Sequence, residues 1–188
     1  MELQKAIESR KTVRKFTDHY IPNEDLKKIL DAARRAPSWA NTQVWEFVVL
    51  RDRELIGQVT ECYSPNNPSR KCSIDASAVI VVCAKLNVSG CLGGKPLTPF
   101  NEWYMFDLGM AVENMCLRAH DIGLGSVVVG SMDHEKIAEI CKVPDDYAVV
   151  VTVPLGEPLD PEKPGAKKKE LYESIHLNAF GEHFPALK

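Results

Sequence analysis

Apolar residues recur at helical spacing near the start of the chain. Residues 2–9 read as a short helix with Leu3, Ala6 and Ile7 on one face. Pro22 and Asn23 open a second helix, in which Asn23 can cap, Glu24 and Asp25 suit the positive helix start, and Leu26, Ile29, Leu30 and Ala33 form the apolar face. Pro37 stops it. A polar loop from Ser38 to Gln43 then leads into residues 45–50, whose β-branched and aromatic content predicts a strand. Residues 52–63 read as helix and residues 66–69 as loop. The run 78–84 is apolar on both faces, as expected of a central strand covered by helices on either side. A Gly/Pro-rich loop over 90–99 precedes a long helix over 100–122 with Gly123 as its C-terminal stop. Residues 126–129 predict a short strand, Asp133 caps a helix through Ile140, residues 147–153 predict another strand, and the tail from Pro158 is rich in Pro and Lys.

This order favours an α+β fold, a mixed central sheet flanked by helices, because the connections between consecutive strands are long enough for crossovers. No Gly-x-Gly-x-x-Gly follows a first strand, so a standard dinucleotide-binding start is absent. No linker or repeat divides residues 1–188, which read as a single domain. The chain has 23 basic and 26 acidic side chains, a formal charge of -3 and 45% apolar residues, a balance that disfavours nucleic acid or an anionic membrane as partner. Its longest apolar run, 76–84, falls well short of the about 20 residues needed to span hydrocarbon, and its first residues do not resemble a signal peptide. A soluble, cytoplasmic protein is expected.

Six cysteines, at 62, 72, 83, 91, 116 and 141, include no Cys-x-x-Cys pair and read as reduced structural thiols. Five histidines, at 19, 120, 134, 176 and 183, show no metal-ligand spacing, and no Gly-x-Ser-x-Gly elbow is present. The loop 90–96 has a spacing that does not match a nucleotide-triphosphate loop. Asp107 and Glu113, six apart in one helix, do not make an acid/base pair and read as structural or solvent-facing.

Charge is uneven: residues 1–35 carry nine Lys/Arg against six Asp/Glu. If residues 10–16 are extended, Arg10, Thr12 and Arg14 share one face while Lys11 and Val13 take the other. Two guanidinium groups and a hydroxyl suit a phosphate and a carbonyl-rich ring, and they equally suit a solvated basic turn after a helix. The loop 36–43 offers Ser38, Asn41, Thr42 and Gln43 either as ligand readers or as turn formers. Phe100, Trp103 and Tyr104 are candidates to wall an apolar pocket for a flat ligand, or ordinary core aromatics.

Three stretches, Arg10-Lys-Thr-Val-Arg-Lys-Phe16, Ala36-Pro-Ser-Trp-Ala-Asn-Thr-Gln43 and the segment from Asp107 to Ser126, resemble the FMN-dependent nitroreductase family in order and separation, as do the strand end 151–158 and the Lys-rich tail. The resemblance implies an intertwined homodimer with two FMN molecules at the subunit interface, each site built from both chains. It implies that Arg10 and Thr12 meet the phosphate, that Arg14 meets the N1 and O2 edge of the flavin, and that Pro37, Ser38 and Asn41 reach the flavin from the partner subunit. Gly130 after Val129 matches the backbone position facing flavin N5, and Lys168 or Lys169 matches a late basic residue on the phosphate, with Lys167 adjacent. Lys11 and Trp39 join the same cofactor-binding set. Residues 158–188 match a C-terminal extension packing on the partner.

The activity implied is ping-pong electron transfer from NADH or NADPH to a nitroaromatic, quinone or similar flat acceptor, with no side chain assigned as catalytic because the flavin carries the chemistry. Trp39 stands where the family often has a smaller residue, and narrows a pocket expected from Trp39, Phe100, Trp103 and Tyr104. Other functions considered are a reductive dehalogenase of the same fold, a non-catalytic flavin carrier or sensor, and a basic-tail interaction protein without cofactor.

Overall fold

A computed structural model describes residues 1–182 and 184; His183 and the last four residues of the 158–188 extension lie outside the described residues. Among the described residues six α-helices, α1 (Leu3–Ser9), α2 (Asn23–Ala33), α3 (Arg53–Glu61), α4 (Ser69–Ile74), α5 (Tyr104–Asp121) and α6 (His134–Cys141), surround strands β1 (Trp45–Leu50), β2 (Ala78–Lys85), β5 (Gly125–Ser126) and β6 (Tyr147–Gly156), while β3 (Cys91–Leu92) and β4 (Lys95–Pro96) form a separate hairpin. The main sheet has the order β1-β2-β6-β5, and its named strands all pair antiparallel. A parallel bridge, Thr12 to Ser126, makes the sheet mixed at its β5 end. At the opposite end β1 is the edge strand.

Side-chain alternation along β2 divides the core. Ala78, Ile80, Val82 and Ala84 pack with α2 and α5, whereas Val79, Val81 and Cys83 pack with residues of α3 and α6. This two-sided burial is what the unbroken apolar run predicts, and it places α5 against one face of the sheet.

Caps and breaks explain where the elements differ from expectation. Asn23 does not cap α2; Pro22 occupies that position, and the Asn23 side chain accepts from Arg51 Nη1 at 2.6 Å. Asp52 caps α3 by accepting from the backbone N–H of Glu54 (2.9 Å) and Leu55 (3.0 Å), and Asp133 caps α6 as expected. Helix α5 begins at Tyr104 rather than at residue 100, since Asn101 adopts a left-handed φ of 59° that a continuing helix cannot contain. Gly123, at φ 84°, follows the helix end as expected. The β3–β4 hairpin occupies a stretch expected to be loop, and α4 follows the expected 66–69 loop in a stretch given no element from the sequence. The strand expected over 126–129 is only two residues long as β5, although Val129 still bridges to Thr152.

All six cysteines are free, and burial pushes the Cys83 thiol up to about 12 and raises Cys62, Cys72, Cys116 and Cys141 as well. Among the described residues no helix is long and apolar enough to cross a membrane, and no group of three His, Cys, Asp or Glu side chains is placed to hold a metal ion.

Candidate functional site

The segment after α1 is extended and docks beside β5. Val13 N–H donates to Ser126 O at 2.9 Å, an approach permitted because Gly125 lacks a Cβ: one built there would lie 2.6 Å from the Val13 Cβ. Arg10 Nε pairs with Glu113 on α5 at 3.0 Å, and Arg14 Nε donates to Ser69 Oγ on α4 at 3.3 Å, with exposed Thr12 between the two anchored guanidinium groups. Glu113 therefore has a specific partner and competes with any anion for Arg10.

The Lys11 Nζ donates to Pro161 O. The tail lies across it: a Cβ at Gly165 would be 3.3 Å from the Lys11 Cβ. Exposed Lys168 and Lys169 thus follow closely on a stretch of chain already held against this segment. The local field is positive. His120, whose Nε2 lies 2.7 Å from Ser9 Oγ, is held below the usual histidine range by burial first and then by Lys11 and Arg10.

The loop 37–43 is strained. Ala40, Asn41 and Gln43 adopt left-handed φ values of 46°, 57° and 49°, a region that costs a residue other than Gly or Asn about 1–2 kcal/mol. Contacts hold it there: Gln43 N–H donates to Ser38 Oγ at 3.0 Å, and Trp39 N–H donates to Asp107 Oδ1 at 2.9 Å. The second carboxylate oxygen of Asp107 accepts from buried Ser89 Oγ at 2.6 Å, and Asp107 itself is only 1% exposed. Pro37 and Asn41 are exposed on this loop.

Trp39 stacks at a tilt on Trp103, with ring centroids 5.1 Å apart, and Trp103 meets Phe100 and Phe106 edge-on at 6.0 and 5.6 Å. Trp103 leaves no room for a side chain at Gly90, where a Cβ would sit 2.4 Å from its ring. Three of the four expected pocket aromatics are thus brought together. The fourth, Tyr104, packs half-buried against the core shared by α2 and α5, and Phe106 completes the cluster in its place.

Val129 is buried and doubly bonded to Thr152, the two residues exchanging N–H···O bonds of 2.9 Å. The next residue, Gly130, is exposed, has no left-handed φ, and a Cβ there would touch only Val151 at an ordinary 3.6 Å. Nothing in its own chain requires glycine, so the missing side chain leaves backbone open to close approach by something else. The turn carrying it is firm: His134 ring nitrogens lie 3.0 Å from Gly130 O and 2.9 Å from Val149 O, and Ser64 N–H donates to Ser131 O at 3.0 Å.

Phe106 and His134 were given no site role from the sequence, and Asp107, read there with Glu113 as structural or solvent-facing, is buried and structural. Asp107 left a trace, a lone acid beside Leu108 and in register with Ala111 on the buried face of α5. A separate groove of about 770 Å³ lies away from all these groups, between α2 and β1, with Leu26, Leu30, Trp45, Phe47 and Arg51 among its walls.

Comparison with known proteins adds to this geometry. A protein of Archaeoglobus fulgidus, named provisionally as an NADH dehydrogenase/NAD(P)H nitroreductase, is 35% identical over 182 residues, covering 92% of this chain and 91% of its own. The crystal structure of a nitroreductase family protein from Clostridium novyi NT superposes with a TM-score of 0.77 at 31% identity, covering 98% of this chain and 97% of that one. An FMN-dependent nitroreductase from Clostridium difficile R20291 gives 0.78 at 26% identity, covering 95% of this chain and 100% of its own. The Nitroreductase family model matches residues 7–157, and the chain belongs to that family.

Proposed function

We propose that this chain is a cytoplasmic FMN-dependent oxidoreductase that works as a homodimer, passing electrons from NADH or NADPH to a nitroaromatic, quinone or similar flat acceptor. The observation that carries the two-chain site is the separation of its halves on α5. Arg10 is tied to Glu113 and the Trp39 backbone to Asp107, positions about 9 Å apart along the helix and about 120° apart around it. A flavin spanning both sets of groups is best served by the Arg10–Arg14 segment of one chain and the 37–41 loop of another.

The donor set fits FMN. Arg10, Thr12 and Lys11, joined by Lys168 or Lys169, offer charge-assisted bonds to a phosphate dianion. Arg14 sets a fixed cation at the pyrimidine edge, where it favours added negative charge. Val129 seats the strand end, and exposed Gly130 allows a flat ring to lie against backbone. Pro37, Ser38 and Asn41 close over from the partner, while Trp39, Phe100 and Trp103 exclude water and select planar acceptors. Bound FMN supplies the redox chemistry, so no side-chain nucleophile is required.

The dimer reading has a second support. Edge strand β1 and the α2–β1 groove are uncovered, while the extension carries exposed Leu171, Tyr172 and Phe180, the last 95% exposed. Residues 158–165 lie against their own chain, correcting the expectation for the start of the extension, and residues 166–182 are assigned to packing on the partner subunit.

The visible spectrum and molar mass of the purified protein test this reading, followed by stopped-flow mixing with NADH and NADPH. A yellow dimer whose bound flavin bleaches rapidly is expected. A colourless monomer that fails to take up FMN on reconstitution refutes it, and flavin that binds but never bleaches indicates a carrier instead.

A further inference from the structure

We propose that Asp107 is a positioning residue for the cofactor loop, holding residues 38–43 in a backbone conformation they would otherwise leave; this rests on the function proposed above. Three observations meet at this carboxylate. It is buried in the first turn of α5, where the positive end of the helix favours an anion. Its two oxygens are divided between different parts of the chain, Oδ1 accepting from Trp39 N–H at 2.9 Å and Oδ2 from Ser89 Oγ at 2.6 Å. The loop it grips carries left-handed Ala40 and Gln43, conformations that persist only where surrounding contacts impose them.

The same bond sets the acceptor pocket. Trp39 is attached to the amide that Asp107 holds, and its indole lies against Trp103, the N-terminal cap residue of the helix that carries Asp107. One carboxylate therefore fixes the position of Trp39 relative to Trp103 and the placement of Ser38 and Asn41 together. The interaction needs hydrogen-bond acceptance at Oδ1 rather than net charge. An asparagine at 107 keeps that acceptor, and its amide can donate to Ser89 Oγ with the serine hydroxyl turned round.

The test compares Asp107→Ala, Asp107→Asn and Asp107→Ala/Ala40→Gly holoproteins by FMN dissociation constant, by KM and kcat for acceptor reduction, and by the circular-dichroism couplet of the Trp39–Trp103 pair. For Asp107→Ala we expect FMN binding to weaken about tenfold, acceptor KM to rise more than kcat falls, and the couplet to disappear. Asp107→Asn should stay within about threefold of wild type. Ala40→Gly, by removing left-handed strain, should recover at least about threefold of the lost FMN affinity, a rescue that a merely structural role would not produce.

Asp107→Ala with wild-type affinity and an intact couplet overturns the proposal, as does Asp107→Asn failing equally. Should Asp107→Ala not fold, amide exchange in the wild-type apoprotein decides: Trp39 N–H is expected to exchange at least about tenfold more slowly than the N–H of exposed Ala40 in the same loop, and equal rates overturn the clamp. A wild-type protein that binds no FMN refutes the function instead, with the exchange and couplet measurements still reporting on the clamp.

Discussion

Replacing Gly125 by Ala probes the contact that seats the Arg10–Arg14 segment. The new Cβ would lie 2.6 Å from both Cβ and Cγ2 of Val13, against an ordinary contact of 3.4 Å or more, so the segment must retreat by about 0.8 Å. Rotamer change offers no escape, because one of the clashing atoms is the Val13 Cβ itself. A retreat of that size would stretch the 2.9 Å bond from Val13 N–H to Ser126 O beyond useful length. Overpacking of this kind costs about 1–3 kcal/mol, which in a domain of this size lowers Tm by about 2–12 °C. The same displacement moves Thr12 and Arg14, so FMN affinity should fall in parallel. Thermal unfolding and flavin titration would be run on Gly125→Ala alone and combined with Val13→Gly or Val13→Ala. Val13→Gly removes the clashing Cβ and should show favourable coupling of at least about 1 kcal/mol, whereas Val13→Ala retains that atom and should recover much less. A Gly125→Ala protein melting within about 1 °C of wild type, with no coupling to either partner, would refute the steric reasoning.

Tyr63→Phe removes the buried hydroxyl lying 2.5 Å from Thr152 Oγ1 and should cost about 1–3 kcal/mol in urea unfolding, while adding Thr152→Val should return much of the loss; equal stability of wild type and Tyr63→Phe would contradict the assignment. His120 titrates lower in the folded protein than when unfolded, so the unfolded chain takes up protons first, and stability should fall as pH drops through the ordinary histidine range near 6.5; His120→Gln should flatten that slope in urea midpoints. Phosphate bound at Arg10 and Lys11 would offset the cations that lower His120, so its NMR titration should move to higher pH in the FMN complex, and an unmoved titration argues against that phosphate position. Arg14→Ala should weaken flavin retention by about 1–3 kcal/mol and make the flavin harder to reduce, whereas Arg10→Ala should chiefly loosen the phosphate; native affinity and potential in these variants would remove those roles.

The central strand and main helices were legible because burial leaves a strong imprint on residue type. Ala78 to Ala84 is apolar on both faces because helices cover both, and Leu26, Ile29 and Ala33 mark the buried side of α2. The start of α5 was not legible, since Phe100 and Trp103 stand at helical spacing ahead of Tyr104 while Asn101 takes a backbone conformation that sequence pattern does not report. At the candidate site, the extended Arg10–Phe16 segment was legible from its position after the first helix, but the partners Glu113 and Ser69 come from distant helices. Tyr104 and Phe106 illustrate the remaining difficulty: both are aromatics in the first turn of one helix, and only the position of Trp103 and the core decides which faces inward. Asn23 looked like a cap on local grounds and was claimed instead by Arg51.

The five sulfurs whose proton release is suppressed by burial have a chemical consequence for a redox protein. Peroxide generated where electrons meet oxygen attacks thiolate, and Cys62, Cys72, Cys83, Cys116 and Cys141 present protonated sulfur at neutral pH. Such a chain can turn over in air with little conversion of these residues to sulfenic acid. Cys91, partly exposed at the start of the β3–β4 hairpin, is the sulfur where oxidative wear should first register.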